Sequence, residues 1–121
     1  MNKNIEVLFE KMLHDYSNYE FIDKNDILNI LEDDICNLHM SEKYRPEDIY
    51  LFLLTNFIYN KNNNDNISAA RLSYLISYYI FVLWTPPRSE FLSRYYIDIS
   101  INLDPQNEEY IKFHEFILDG N

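Results

Sequence analysis

The chain has almost no glycine. Of its 121 residues only Gly120 is one. Glycine supplies positive-φ turns and the close backbone approach that phosphate-cradling loops need. Its absence before position 120 excludes a G-x-G-x-x-G fingerprint, a Walker loop and a G-x-S-x-G elbow. It also speaks against an all-β fold and for helices joined by short Asn/Pro loops. Cysteine is equally scarce. Cys36 stands alone, so no internal disulfide can form and a reducing compartment is expected. Long apolar runs are missing too. The longest patch, YYIFVLW from Tyr78 to Trp84, falls well short of the ~20 residues that span a bilayer. The N-terminal MNKNIEVLFEK carries charge inside every apolar window, unlike a signal peptide. These absences predict a soluble cytoplasmic protein with no membrane partner.

Positive charge is the last shortage. Lys and Arg number 10 against 20 Asp and Glu, a formal net charge of -10. Such a chain repels nucleic acid and anionic lipid and attracts basic proteins. What is abundant is apolar and aromatic surface: 47% of residues are hydrophobic, with 11 Tyr and 8 Phe. That suffices for one core in a single domain spanning residues 1–121.

Periodicity predicts a compact all-α bundle of about six helices. Ile5, Leu8, Phe9, Met12, Leu13 and Tyr16 recur at helical spacing. A second helix is predicted from about Lys24 to Met40, burying Ile27, Leu28, Leu31, Ile35, Cys36 and Leu38. A third starts at Pro46, is apolar nearly all round, and is expected to be the central, well-covered one. NKNNNDN, residues 60–66, reads as a solvated loop. ISAARLSYLISYYIFVLW then forms a long helix with Ala69, Leu72, Leu75, Ile76, Tyr79, Ile80 and Leu83 inward. Its Ser68, Ala69, Ala70, Ser73 and Ser77 permit a close neighbour, and Pro86 and Pro87 end it. Ile97–Leu103 fits both a strand alternation and a helical stripe of Leu92, Tyr95, Tyr96, Ile99 and Leu103. A helix is expected, because a lone strand has nothing to pair with. A last helix follows Pro105.

Candidate chemistry is thin. Glu32, Cys36 and His39 share a helix face at i, i+4, i+7, but zinc asks for three or four ligands, commonly in paired spacing. His14, His39 and His114 sit on three different predicted helices, and HE at 114–115 lacks the second His of HExxH. No catalytic residue, metal, cofactor or small-molecule substrate is expected. The carboxylates are the stronger signal. Asp23, Asp26, Glu32, Asp33, Asp34, Glu42, Glu47 and Asp48 fall within 26 residues, offset only by Lys24, Lys43 and Arg45. They form either an ordinary solvated helix face or a docking surface for a cationic partner. Tyrosine, a large rigid ring with a polar tip, is typical of interfaces.

The stretch ISINLDPQNEEYIKFHEFI resembles the junction of a tetratricopeptide repeat, with Pro105 at the closing proline. Ser93, Ile97 and Ser100 stand where that pattern usually has alanine, an aromatic and alanine. The likeness covers about the last thirty residues, and no ~34-residue period recurs upstream. It implies a local helix-turn-helix. In its size, acidity and wealth of Asn, Ile and Tyr, the chain resembles the small immunity proteins of bacterial toxin systems, of the bacteriocin or contact-dependent growth inhibition type. That resemblance implies an inhibitor forming a heterodimer with a basic protein toxin, a nuclease in the simplest case. Asp26, Glu32, Asp33, Asp34, Glu47 and Asp48 would pair with its Lys and Arg, and Tyr44 and Tyr50 would supply a desolvated centre. The alternative is a helical-repeat adaptor holding a peptide beside the Arg88–Leu118 hairpin.

Overall fold

The computed structural model describes residues 3–14 and 20–120; Tyr16 and residues 17–19 of the first connection lie outside them. The described residues form seven α-helices and no strand. These are α1 (Lys3–His14), α2 (Lys24–Leu28), α3 (Glu32–Met40), α4 (Pro46–Asn62), α5 (Asn66–Tyr78), α6 (Ser89–Leu103) and α7 (Glu108–Asp119). A π-helical segment, Tyr79–Trp84, continues α5. Ile97–Leu103 is therefore helix. One hydrophobic core draws on every α-helix.

The central helix is α5, not α4. Every residue from Ser68 to Ser77 is buried. Small side chains make this possible, because they let backbones approach until hydroxyls reach carbonyls. The Ser73 hydroxyl donates to Tyr96 O at 2.7 Å, Ser77 to Ser93 O at 2.7 Å, and Ser100 back to Ala70 O at 2.8 Å. Three serines thus stitch α5 to α6, each satisfied where a buried hydroxyl would otherwise cost free energy. The buried centre of α6 is consequently Ser93, Tyr96, Ile97 and Ser100. Tyr95, expected on the inner stripe, is exposed.

α4 buries only one stripe: Ile49, Phe52, Leu53, Asn56, Phe57 and Asn60. Leu51, Ile58 and Tyr59 face outward. The two asparagines earn their places by hydrogen bonding. Asn56 Oδ1 accepts from Ile22 N at 2.8 Å, and its Nδ2 donates to Phe52 O. That bond pins the segment entering α2 onto α4. α4 also runs three residues into the predicted Asn-rich loop, which shrinks to a turn with Asn64 at φ 61.

The helix expected over residues 24–40 is broken. Asn29 closes α2 and Leu31 is extended at φ -100, ψ 159. The break turns Ile30 into the core and leaves Leu28 and Leu31 exposed, against expectation. Asp34 causes it. Its carboxylate accepts from Leu31 N at 2.9 Å, which caps a new helix start. Leu31 has no side-chain oxygen with which to reciprocate.

With glycine confined to position 120, the turns take positive φ from other residues: Glu42, Asn64, Thr85 and Arg88. Thr85 (φ 47, ψ 54) ends the π segment, its N–H donating five residues back to Ile80 O. Pro86 then bars a return to right-handed helix.

Candidate interaction surface

The predicted acidic and tyrosine residues divide into two groups, those used inside the fold and those left facing water. Glu32 opens α3 beside Arg71 of α5, with Nη2 to Oε1 at 3.1 Å. Arg71 also reaches Glu109 of α7 at 3.1 Å, donates to Ile30 O, and lies 5.2 Å from the Tyr74 ring centroid. The carbonyl freed by the α2–α3 break therefore meets a guanidinium that joins three helices. Burial alone would lower the Arg71 pKa, but Glu109 and then Glu32 outweigh it and hold it above its ordinary value. Burial first, then the charges of Glu32 and Glu109, pushes the Tyr74 hydroxyl up.

Asp34 is only 5% exposed and serves as a cap, so it does not face an incoming partner. Tyr44, half-buried, donates its hydroxyl to Glu10 and to Glu6. Burial and then the Glu10 bond raise its pKa. Tyr50 shares a hydroxyl–hydroxyl bond with Tyr96 and packs its ring against Trp84. Trp84 also stacks on Tyr79 and is half-buried at the edge of the core. Glu32, Asp34, Tyr44 and Tyr50 thus have structural partners that sequence spacing did not reveal.

Asp26, Asp33, Glu47 and Asp48 remain accessible. Asp33 and Glu47 are exposed, Asp26 and Asp48 half-exposed. Glu47 pairs with Arg45 at 3.1 Å across an open surface. A bond to its own backbone, then Arg45, holds its carboxyl below the ordinary range. The charges of Glu32 and Asp33 reach Tyr78, and that of Glu47 reaches the neighbouring Tyr79.

The histidines do not converge. His39 Nδ1 meets the Tyr79 hydroxyl at 3.0 Å, His14 meets Glu10 at 3.3 Å and His114 meets Asp98 at 3.5 Å. Among the described residues no three His, Cys, Asp or Glu side chains gather where a metal could sit. Cys36 is a half-buried free thiol. A cleft of about 180 Å³ opens between α1 and α3, lined by Ile5, Glu6, Asp34, Asn37, Leu38, Ser41 and Lys43.

Two features escaped the sequence reading. One is Arg71, though a lone charge in the helical run Asn66–Trp84 was visible. By length and composition that run, 19 residues at mean hydropathy 1.3, could cross a membrane; 61% of it is buried inside this fold, as in a core helix. The other is the outer face of α6, where Phe91 is 73% and Tyr95 61% exposed. Compared with protein-family models, with curated proteins and with solved structures, the chain matches none.

Proposed function

We propose that this chain is a protein-binding inhibitor of the immunity type, which neutralises a cationic toxin by docking an acidic surface over it. One observation carries the reading. Among the described side chains other than the buried Asp34, Lys and Arg ion pairs reach only Asp65, Glu32, Glu47 and Glu109. Among the described residues, most of the anionic surplus is neither paired with Lys or Arg nor buried. Self-repulsion of this kind costs stability, and a cationic partner relieves it. In this reading Asp33, Glu47 and Asp48 meet Lys and Arg that otherwise hold phosphates. Steering then raises association towards ~10⁸–10⁹ M⁻¹s⁻¹. The partner is a basic protein, with no nucleic acid, membrane or small molecule at the interface, and the encounter is cytoplasmic. Glu32, Asp34, Tyr44 and Tyr50 hold the scaffold in shape.

The test is a salt series on the purified pair of this chain and a basic nuclease toxin encoded beside it. Affinity should fall steeply from about 0.05 to 0.5 M salt as screening shortens. The triple reversal Asp33→Lys, Glu47→Lys, Asp48→Lys should slow association at least ~10-fold. Salt-independent binding, unmoved by the reversal, would sink the proposal. The second reading, a helical-repeat adaptor, draws on the α6–α7 hairpin and its exposed rings. In its turn Asn107 N donates to Asp104 O, and Asn107 Oδ1 caps α7 through Glu109 N. An apolar groove of that kind would bind its peptide with little salt dependence.

A further inference from the structure

We propose that the outer face of α6 pairs with the same face of a second copy of this chain, giving a twofold-symmetric dimer. Phe91, Arg94, Tyr95 and Asp98 line a shallow groove of about 320 Å³. With exposed Asn102 they fall within a ~100° arc of the helix, opposite the buried Ser93, Tyr96, Ile97 and Ser100. Phe91 is the most exposed large apolar side chain among the described residues.

Charge identifies the occupant. Two copies at a net charge of -10 each repel over most of their surfaces. The outer face of α6 is the exception, because it is locally neutral. Arg88 and Glu90 cancel just before it, and Arg94 and Asp98 cancel on it. Arg94 has no ion-pair partner among the described residues. Asp98 pairs with His114 alone among the described residues, at 3.5 Å, and stays mostly wet.

Opposite charges four residues apart on one helix are self-complementary. A twofold axis crossing α6 near residue 96 sets Arg94 against Asp98 of the copy and Asp98 against Arg94 of the copy. Both pairs form in one operation, as an isologous contact requires. Tyr95 then lies near the axis, and Phe91 covers the stretch around Asn102 of the copy. A single pair of helix faces places this at the small, weak end of interfaces. The inference does not rest on the acidic surface or on what it binds.

Sedimentation velocity from about 5 to 500 μM, the range of weak dimers, tests it. The wild-type chain should shift from monomer to dimer with a moderate salt dependence. Arg94→Glu places two carboxylates opposite each other twice and should raise Kd at least ~10-fold. Asp98→Arg alone should act likewise. The double swap R94E/D98R restores both pairs with the charges exchanged and should dimerise again. Both positions are on the surface, so far-UV circular dichroism should stay constant through the series. A wild type monomeric at the highest concentration overturns the proposal. So does an R94E chain that still dimerises, or a double swap that stays monomeric.

Discussion

At the scale of single residues, Arg71 shows what one side chain can decide. It satisfies the Ile30 carbonyl exposed by the α2–α3 break and ties α3 and α7 to α5. Arg71→Met keeps most of the volume but orphans that carbonyl, and should cost about 2 kcal/mol. Arg71→Ala adds a cavity and should cost about 4 kcal/mol. Urea unfolding followed by circular dichroism measures both. Thr85 makes the opposite case. A β-branched residue held at φ 47 is strained, so Thr85→Gly should raise stability by about 0.5–1 kcal/mol in the same assay. Both sites were half-legible. The lone Arg in an uncharged helix announced itself, but its partners come from positions 32 and 109, beyond any local pattern. TPPR announced a stop, without the left-handed geometry that makes it. Tyr44 and Tyr50 looked like interface rings because period analysis cannot see that Glu10 and Tyr96 wait for their hydroxyls.

At the scale of elements, helices were readable and the faces they bury were less so. Stripes of large apolar residues point to α4 as the centre and to Tyr95 as part of the inside of α6, where Leu92 does pack on the core and Tyr95 does not. The closest packing instead follows small residues, which hydrophobicity ranks low. The small residues Ser68, Ala69, Ala70, Ser73 and Ser77 mark that packing better than the large apolar stripes do. The expected result is a contrast of sizes. Ser100→Ala loses one hydrogen bond to a carbonyl and should cost about 1 kcal/mol. Ser77→Leu forces α5 and α6 apart and should cost roughly 3 kcal/mol by overpacking. Denaturant midpoints of the two variants separate these effects. The α2–α3 break was missed for a related reason. Asp34 was read as surface charge, whereas its spacing of three from Leu31 makes it a cap.

At the scale of the whole molecule, tyrosine makes stability depend on alkaline pH. Burial, against the nearby Arg71, raises Tyr110 to about 12, from an ordinary 10.0. Burial likewise raises Tyr44, Tyr74, Tyr79 and Tyr96. The raised pKa sits in the folded state, so the folded chain holds these protons when the unfolded chain has released them. Their contribution is full below pH 10 and is lost as pH climbs towards 12 and beyond. Thermal melts should therefore be level for these groups up to about pH 10 and fall steeply above it. Tyrosinate absorbance should rise together with the loss of helix, not before it. The all-helical class, the acidity and the C-terminal hairpin could be read in advance. The division of the carboxylates between caps, internal bridges and open surface could not, because it depends on which helices become neighbours.

The place of α5 in the chain has a consequence for synthesis. The apolar sides of α2 and α4 are covered by a helix that is made after them. At about 5–20 residues per second, Ile27 waits several seconds for Trp84 to leave the ribosome. During that time the nascent N-terminal half carries sticky, unfinished helices with nothing to close on. Chaperone occupancy on the translating ribosome should peak before the TPPR turn emerges and decline once it has.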